Sequence, residues 1–88
     1  MFSLELMDEE KDVRRAILKK LFKHRYIGGK HTEIRNAIKG FPNEMLNEAK
    51  RQVHALIKQN FLLAKISTGE MHVSLNPKML KEILEEIK

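Results

Sequence analysis

Residues 31–75 read HTEIRNAIKGFPNEMLNEAKRQVHALIKQNFLLAKISTGEMHVSL, and the fold turns on this stretch. Its first half has helical periodicity and its last third has strand periodicity. Thr32 is a good N-cap for a short helix to Lys39, with Ile34, Ala37 and Ile38 on its buried side. Gly40 stops that helix and Pro42 forbids its continuation. Asn43 then caps a longer helix that begins at Asn43 or Glu44 and runs to Asn60. Leu46, Ala49, Val53, Leu56 and Ile57 fall on one side of it. After Phe61 the period changes from 3.6 to 2. Leu62, Ala64 and Ile66 alternate with Leu63, Lys65 and Ser67. Beyond Thr68-Gly69, Met71, Val73 and Leu75 alternate with His72 and Ser74. Two alternating runs around a glycine-bearing turn predict a β-hairpin.

The flanks extend the pattern. Val13, Ile17, Leu18, Leu21 and Phe22 recur at helical spacing and predict a first helix over residues 8–26. Asp8 suits its cap, Glu9 and Glu10 suit its first turn, and Gly28 suits its left-handed C-cap. Arg15, Lys19 and Lys23 line the opposite face. Phe2, Leu4 and Leu6 alternate with other residues and fit either a short strand or an extended lead-in over residues 1–7. On the other side, Asn76-Pro77 opens a last helix over residues 76–88, since proline is preorganised for the first helical position. Met79, Leu80, Ile83, Leu84 and Ile87 fall within about 140° on its wheel and leave one entirely apolar face.

The chain has 88 residues, which is one domain at most. A chain this short buries only about 60–65% of its unfolded surface, so pairing with itself would add burial it otherwise lacks. There is no cysteine, which excludes a disulfide framework, a zinc ribbon and a thiol nucleophile. No apolar run approaches the roughly 18 residues of a membrane span. The acidic start MFSLELMDEE is the opposite of a signal peptide. The expectation is a soluble, cytoplasmic chain.

Charge is unevenly spread. The total is +5, yet residues 1–10 sum to −4 and residues 11–40 to +8. One acidic end and one basic third suggest a surface that meets a polyanion. Catalysis is not expected. No serine or threonine has a nucleophile-elbow setting, and no glycine-rich loop matches a phosphate cradle. No metal or cofactor is expected either: His24, His31, His54 and His72 are nowhere four residues apart, and no HExxH occurs. Nothing points to a small-molecule substrate.

Helix, short extended link, helix, tight turn, helix and hairpin, in that order over residues 8–75, resemble the winged helix-turn-helix family. HTEIRNAIKGFPNEMLNEAKRQVHALIKQNF carries the helix-turn-helix, FLLAKISTGEMHVSL the wing, and YIGGKHT the extended piece before the second helix. The resemblance implies a mainly α fold with a small β-hairpin, a three-helix core and a C-terminal helix. It also implies double-stranded DNA binding by a small transcriptional regulator. Helix 43–60 would enter the major groove and wing 61–75 would touch backbone or minor groove. On that helix Asn47, Lys50, Arg51, His54 and Lys58 are the candidate contacts, because each can donate hydrogen bonds and arginine and asparagine suit guanine and adenine. Lys65 and His72 are the wing's contribution. Lys30, His31, Thr32 and Arg35 would meet phosphate at the start of the second helix. The C-terminal helix resembles the dimerisation helix of some small regulators, which makes Met79, Leu80, Ile83, Leu84 and Ile87 a candidate homodimer interface. The alternative is a monomer that hides this face against the first helix. The alternative function is a protein-interaction module, favoured by the weak net charge of helix 43–60 and by Glu70 near the wing tip.

Overall fold

The computed structural model describes residues 2–88, with side chains from Glu9 onward. Helix α1 spans Phe2–Lys23, strand β1 Thr32–Glu33, helix α2 Ile34–Ala37 and helix α3 Leu46–Lys58. Strands β2 (Leu62–Ser67) and β3 (Glu70–Leu75) follow, and helix α4 covers Leu80–Glu86. Single 3-10 turns, Asn43–Met45 and Pro77–Met79, lead into α3 and α4. The result is a mainly helical domain with a small antiparallel sheet, ordered β1-β3-β2.

The hairpin forms where the alternation predicts it. Leu62 faces Leu75 and Ser67 faces Glu70 in an unbroken register. Thr68 (φ 51°) and Gly69 (φ 80°) make the two-residue turn, whose positive φ angles match the twist of the flanking strands. The third strand is the part that the helical reading of Thr32 missed. Thr32 pairs with Val73 and Glu33 with His72, so Thr32 belongs to the sheet and is not the N-cap of α2. Glu33 holds the cap position without a side-chain bond.

Several helix ends differ from expectation. Helix α1 is already running at Phe2, so Asp8 is not its cap and the lead-in of residues 1–7 is helical from Phe2 on. Its left-handed C-terminal residue is Arg25 (φ 60°), three positions before Gly28. Tyr26 N–H reaches Leu21 O at 2.9 Å and Arg25 N–H reaches Phe22 O at 3.0 Å. These two bonds are the paired closure that ends many helices. Asn60 (φ 65°) closes α3 in the same way, with Phe61 N–H on Leu56 O at 3.0 Å. Pro42, not Asn43, precedes the turn into α3. Asn76 does cap as expected, accepting from Lys78 N–H at 3.1 Å.

The core gathers the predicted stripes. Val13, Ile17, Leu18 and Leu21 of α1 are buried with Ala49, Val53 and Leu56 of α3. Ala37 and Ile38 close one side, and Leu62, Val73 and Leu75 form the sheet's contribution. Each large side chain here adds about 1.5–3 kcal/mol by leaving water. Ala64 and Ile66 share the sheet face of Leu62 and remain exposed: Ala64 lies on the outer strand beside buried Val73, and Ile66 lies farther along, opposite exposed Met71. Ile83 of α4 is fully buried in the same core. Met79, Leu80 and Ile87 pack partly against it, and only Leu84 of that set is exposed.

Candidate functional site

Helix α3 presents one continuous donor strip. Asn47, Lys50, Arg51, His54 and Lys58 are all exposed. At 3.6 residues per turn they occupy about 100° of arc and roughly 17 Å of helix. The core residues Ala49, Val53 and Leu56 take the other side. No carboxylate lies within the strip, because Glu48 falls about 60° beyond Arg51.

The flanks of the strip differ in charge. On one side Lys50 borders a hollow lined by Glu33 of β1, by Ile34, Arg35 and Ile38 of the α2 region and by Glu70 and Met71 of β3, where acids and bases balance. On the other, Arg51 borders a hollow lined by Glu9, Glu10, Glu44 and Glu48. Arg51 is committed to that side: its Nη2 donates to Glu48 Oε1 at 2.5 Å. Glu48 also accepts from Gln52 at 2.7 Å. That bond first, and Arg51 after it, hold the Glu48 carboxyl below its usual pKa. Arg51 is therefore less available than its neighbours. Lys50, His54 and Lys58 have no side-chain hydrogen-bond partner among the described residues.

Around α2 the expected phosphate contacts are mostly occupied. Thr32 is buried, and its hydroxyl accepts from Asn36 Nδ2 at 2.7 Å, at the wall of an open hollow also lined by His31, Lys39 and Lys50. Arg35 donates to Glu33 at 2.7 Å and to Glu70 at 3.2 Å, which ties α2 to the hairpin. The Arg35 hydrogen bond is the main cause of the lowered Glu33 pKa. The Nδ1 atoms of His31 and His72 lie 2.9 Å apart, so each ring occupies the other. His72 Nε2 is buried without a partner. Lys30 is exposed, with its ammonium 3.3 Å from His24 O and 5.4 Å from the Tyr26 ring centre. Lys65 is exposed on β2.

Much of the basic block is spent inside the fold. Lys20 donates to the carbonyls of Asn36 and Lys39, both at 2.7 Å. Partial burial, then repulsion from Lys39, lowers its pKa. Arg14 bonds Glu86 and Gln59 and stacks 5.0 Å from the Phe61 ring. Arg15 donates to Glu86 O at 3.0 Å and Lys88 O at 2.8 Å. These contacts fasten the end of the chain to α1. No family model, curated protein or solved structure matches this chain.

The geometry sorts the sequence-level candidates. Asn47, Lys50, His54 and Lys58 form one open surface, with Arg51 at its acidic margin. Thr32, His31, His72 and Arg35 serve the joint between α2 and the sheet. Ile83 is core in its own chain, so the proposed dimer face cannot use it without unfolding α4. The roles of Arg14, Arg15 and Lys20 had no sequence signal, since a cation beside an apolar stripe looks the same whether it reaches solvent or a carbonyl. Among the described residues, no group of three or more His, Asp or Glu side chains is placed to hold a metal ion. Nor is any described helix long and apolar enough to cross a membrane.

Proposed function

We propose that this chain is a winged helix-turn-helix protein that binds double-stranded DNA, with α3 in the major groove and the β2–β3 hairpin as its wing. The observation that carries the reading is the strip Asn47, Lys50, Arg51, His54 and Lys58: five exposed donors on one side of one helix, uninterrupted by a carboxylate. A helix of that width fits the major groove, and lysine and arginine there meet phosphate or base edges. The role that follows is a small cytoplasmic transcriptional regulator. Lys50, Lys58, Lys65 and Lys30 supply about four phosphate contacts, for which the log–log salt slope is roughly −4. Random duplex DNA titrated at 50 and 200 mM salt tests this. Binding that weakens steeply supports the reading, and no binding at low salt rejects it.

A protein-interaction role draws on a different observation. The acidic margin of Glu9, Glu10, Glu44 and Glu48 beside Arg51 repels phosphate. A partner engaged there would be insensitive to removal of Lys50 and Lys58, which separates the two roles.

A further inference from the structure

Strand β2 is an open edge. The sheet order β1-β3-β2 leaves β3 paired on both sides and β2 on one. The groups on the free side are identifiable. Phe61 O accepts from Asn76 N–H at 2.9 Å, one step before the Leu62–Leu75 pair. Bonded and non-bonded pairs alternate along an antiparallel ladder. Leu63, Lys65 and Ser67 therefore exchange bonds with β3, while Leu62, Ala64 and Ile66 turn their N–H and C=O outward. Of the usual protections of an edge, Lys65 is the one present. The strand has no proline, its register runs unbroken over six pairs, and Lys65 is its single charge. Ile66 is 66% exposed and Leu63 42%.

We infer that the chain self-associates through this edge, two copies joining β2 to β2 antiparallel about a two-fold axis to make a six-stranded sheet. The occupant is a second copy because the strand is complementary to itself in one register. In a continuous sheet, opposed residues share a face, so the axis passes through a residue and not between two. With Lys65 on the axis, two ammonium stems would meet about 4.5 Å apart at Cα in a non-bonded pair. With Ala64 on the axis, two small side chains meet and all outward groups are used. Ala64 bonds its twin, and Leu62 and Ile66 bond Ile66 and Leu62 of the second copy, for about six backbone hydrogen bonds. Ile66, exposed in the single copy, then lies beside an apolar neighbour. Lys65 is directed to the opposite sheet face, so pairing at the edge leaves its ammonium free.

The chain has no cysteine, which permits a clean test by Ala64→Cys. Opposed bonded residues have Cα atoms about 5.5 Å apart, inside disulfide range. Under mild oxidation this variant should run at twice 10.3 kDa on a non-reducing gel. Leu63→Cys, whose twin is displaced by two residues, about 7 Å along the strand, should not. Light scattering of the unmodified protein should give a dimer mass at tens of micromolar. Ala64→Pro deletes only an outward N–H and should return the mass to 10.3 kDa with the helical circular dichroism retained. If that variant unfolds, Ile66→Lys serves, since it leaves the β3 ladder intact. A monomer mass at several hundred micromolar overturns the inference. So do equal cross-linking of the two cysteine variants and a dimer that survives in folded Ile66→Lys.

Discussion

The ammonium of Lys20 donates to the backbone carbonyl of Asn36 at 2.7 Å. With its second bond, to Lys39 O at 2.7 Å, Lys20 bridges two carbonyls at the C-terminal end of α2, where a helix's last carbonyls lack regular intrahelical partners. Lys20→Met should therefore lower stability. Charged hydrogen bonds are worth about 1.5–3 kcal/mol when buried, and partial solvent access reduces that to about 1 kcal/mol. A shift in melting temperature of about 4–8 °C follows for a domain of this size. Duplex binding should stay within about twofold of the unmodified protein at low salt, because the cation faces inward. Calorimetry and a binding titration on the same sample check both.

The last helix should separate two neighbouring positions sharply. Ile83 is fully buried and Leu84 is 40% exposed. Ile83→Ala should cost about 2–4 kcal/mol through lost burial and a cavity. Leu84→Lys should change stability by under about 0.5 kcal/mol. Urea unfolding measures both, and comparable losses at the two sites would contradict the packing of α4.

If α3 engages duplex DNA, Lys50→Ala and Lys58→Ala should each reduce the salt slope by about 1 and weaken binding to all sequences alike. Neither side chain is hydrogen-bonded among the described residues, so melting temperatures should hold within about 4 °C. Affinity and slope measured at three salt concentrations give the answer.

Arg51→Ala should weaken DNA binding less than Lys50→Ala, because Glu48 already holds the guanidinium. Glu48→Gln should tighten binding by releasing Arg51 and removing a margin charge. A gel-shift series across the three variants checks the order.

The same carboxylate makes a pH prediction. The folded pKa of Glu48 is depressed, by Gln52 first and Arg51 second. Its contribution to stability is present above the unfolded glutamate value of about 4.3 and is lost as pH falls through the folded value. The melting temperature of Glu48→Gln should thus converge with that of the unmodified protein as pH falls below about 4, and stay offset from it by a constant amount between pH 5 and 7.

The sequence by itself determined which residues are apolar at which period, and that sufficed for the helices around Val13–Leu21 and Ala49–Leu56 and for the hairpin register. Its local punctuation placed the Asn76 cap and the Thr68-Gly69 turn, because each depends on residues a few positions apart. Position and partner required tertiary structure. Thr32 has the chemistry of a helix cap and became a strand residue once Val73 offered backbone bonds across 41 positions. Arg15 has the spacing of a surface charge, and its partner at Glu86 O, 71 positions away, exists only in the folded chain. The apolar stripe of α4 looked the same for a second chain and for its own core, and packing settled Ile83 in its own. Ala64 and Ile66 continue the alternation that buries Leu62, but burial depends on a covering layer: Ala64 sits on the outer strand beside buried Val73, and Ile66 sits opposite exposed Met71 near the turn. Periodicity states what a side chain would prefer; the contacts available at its three-dimensional position decide whether the preference is met.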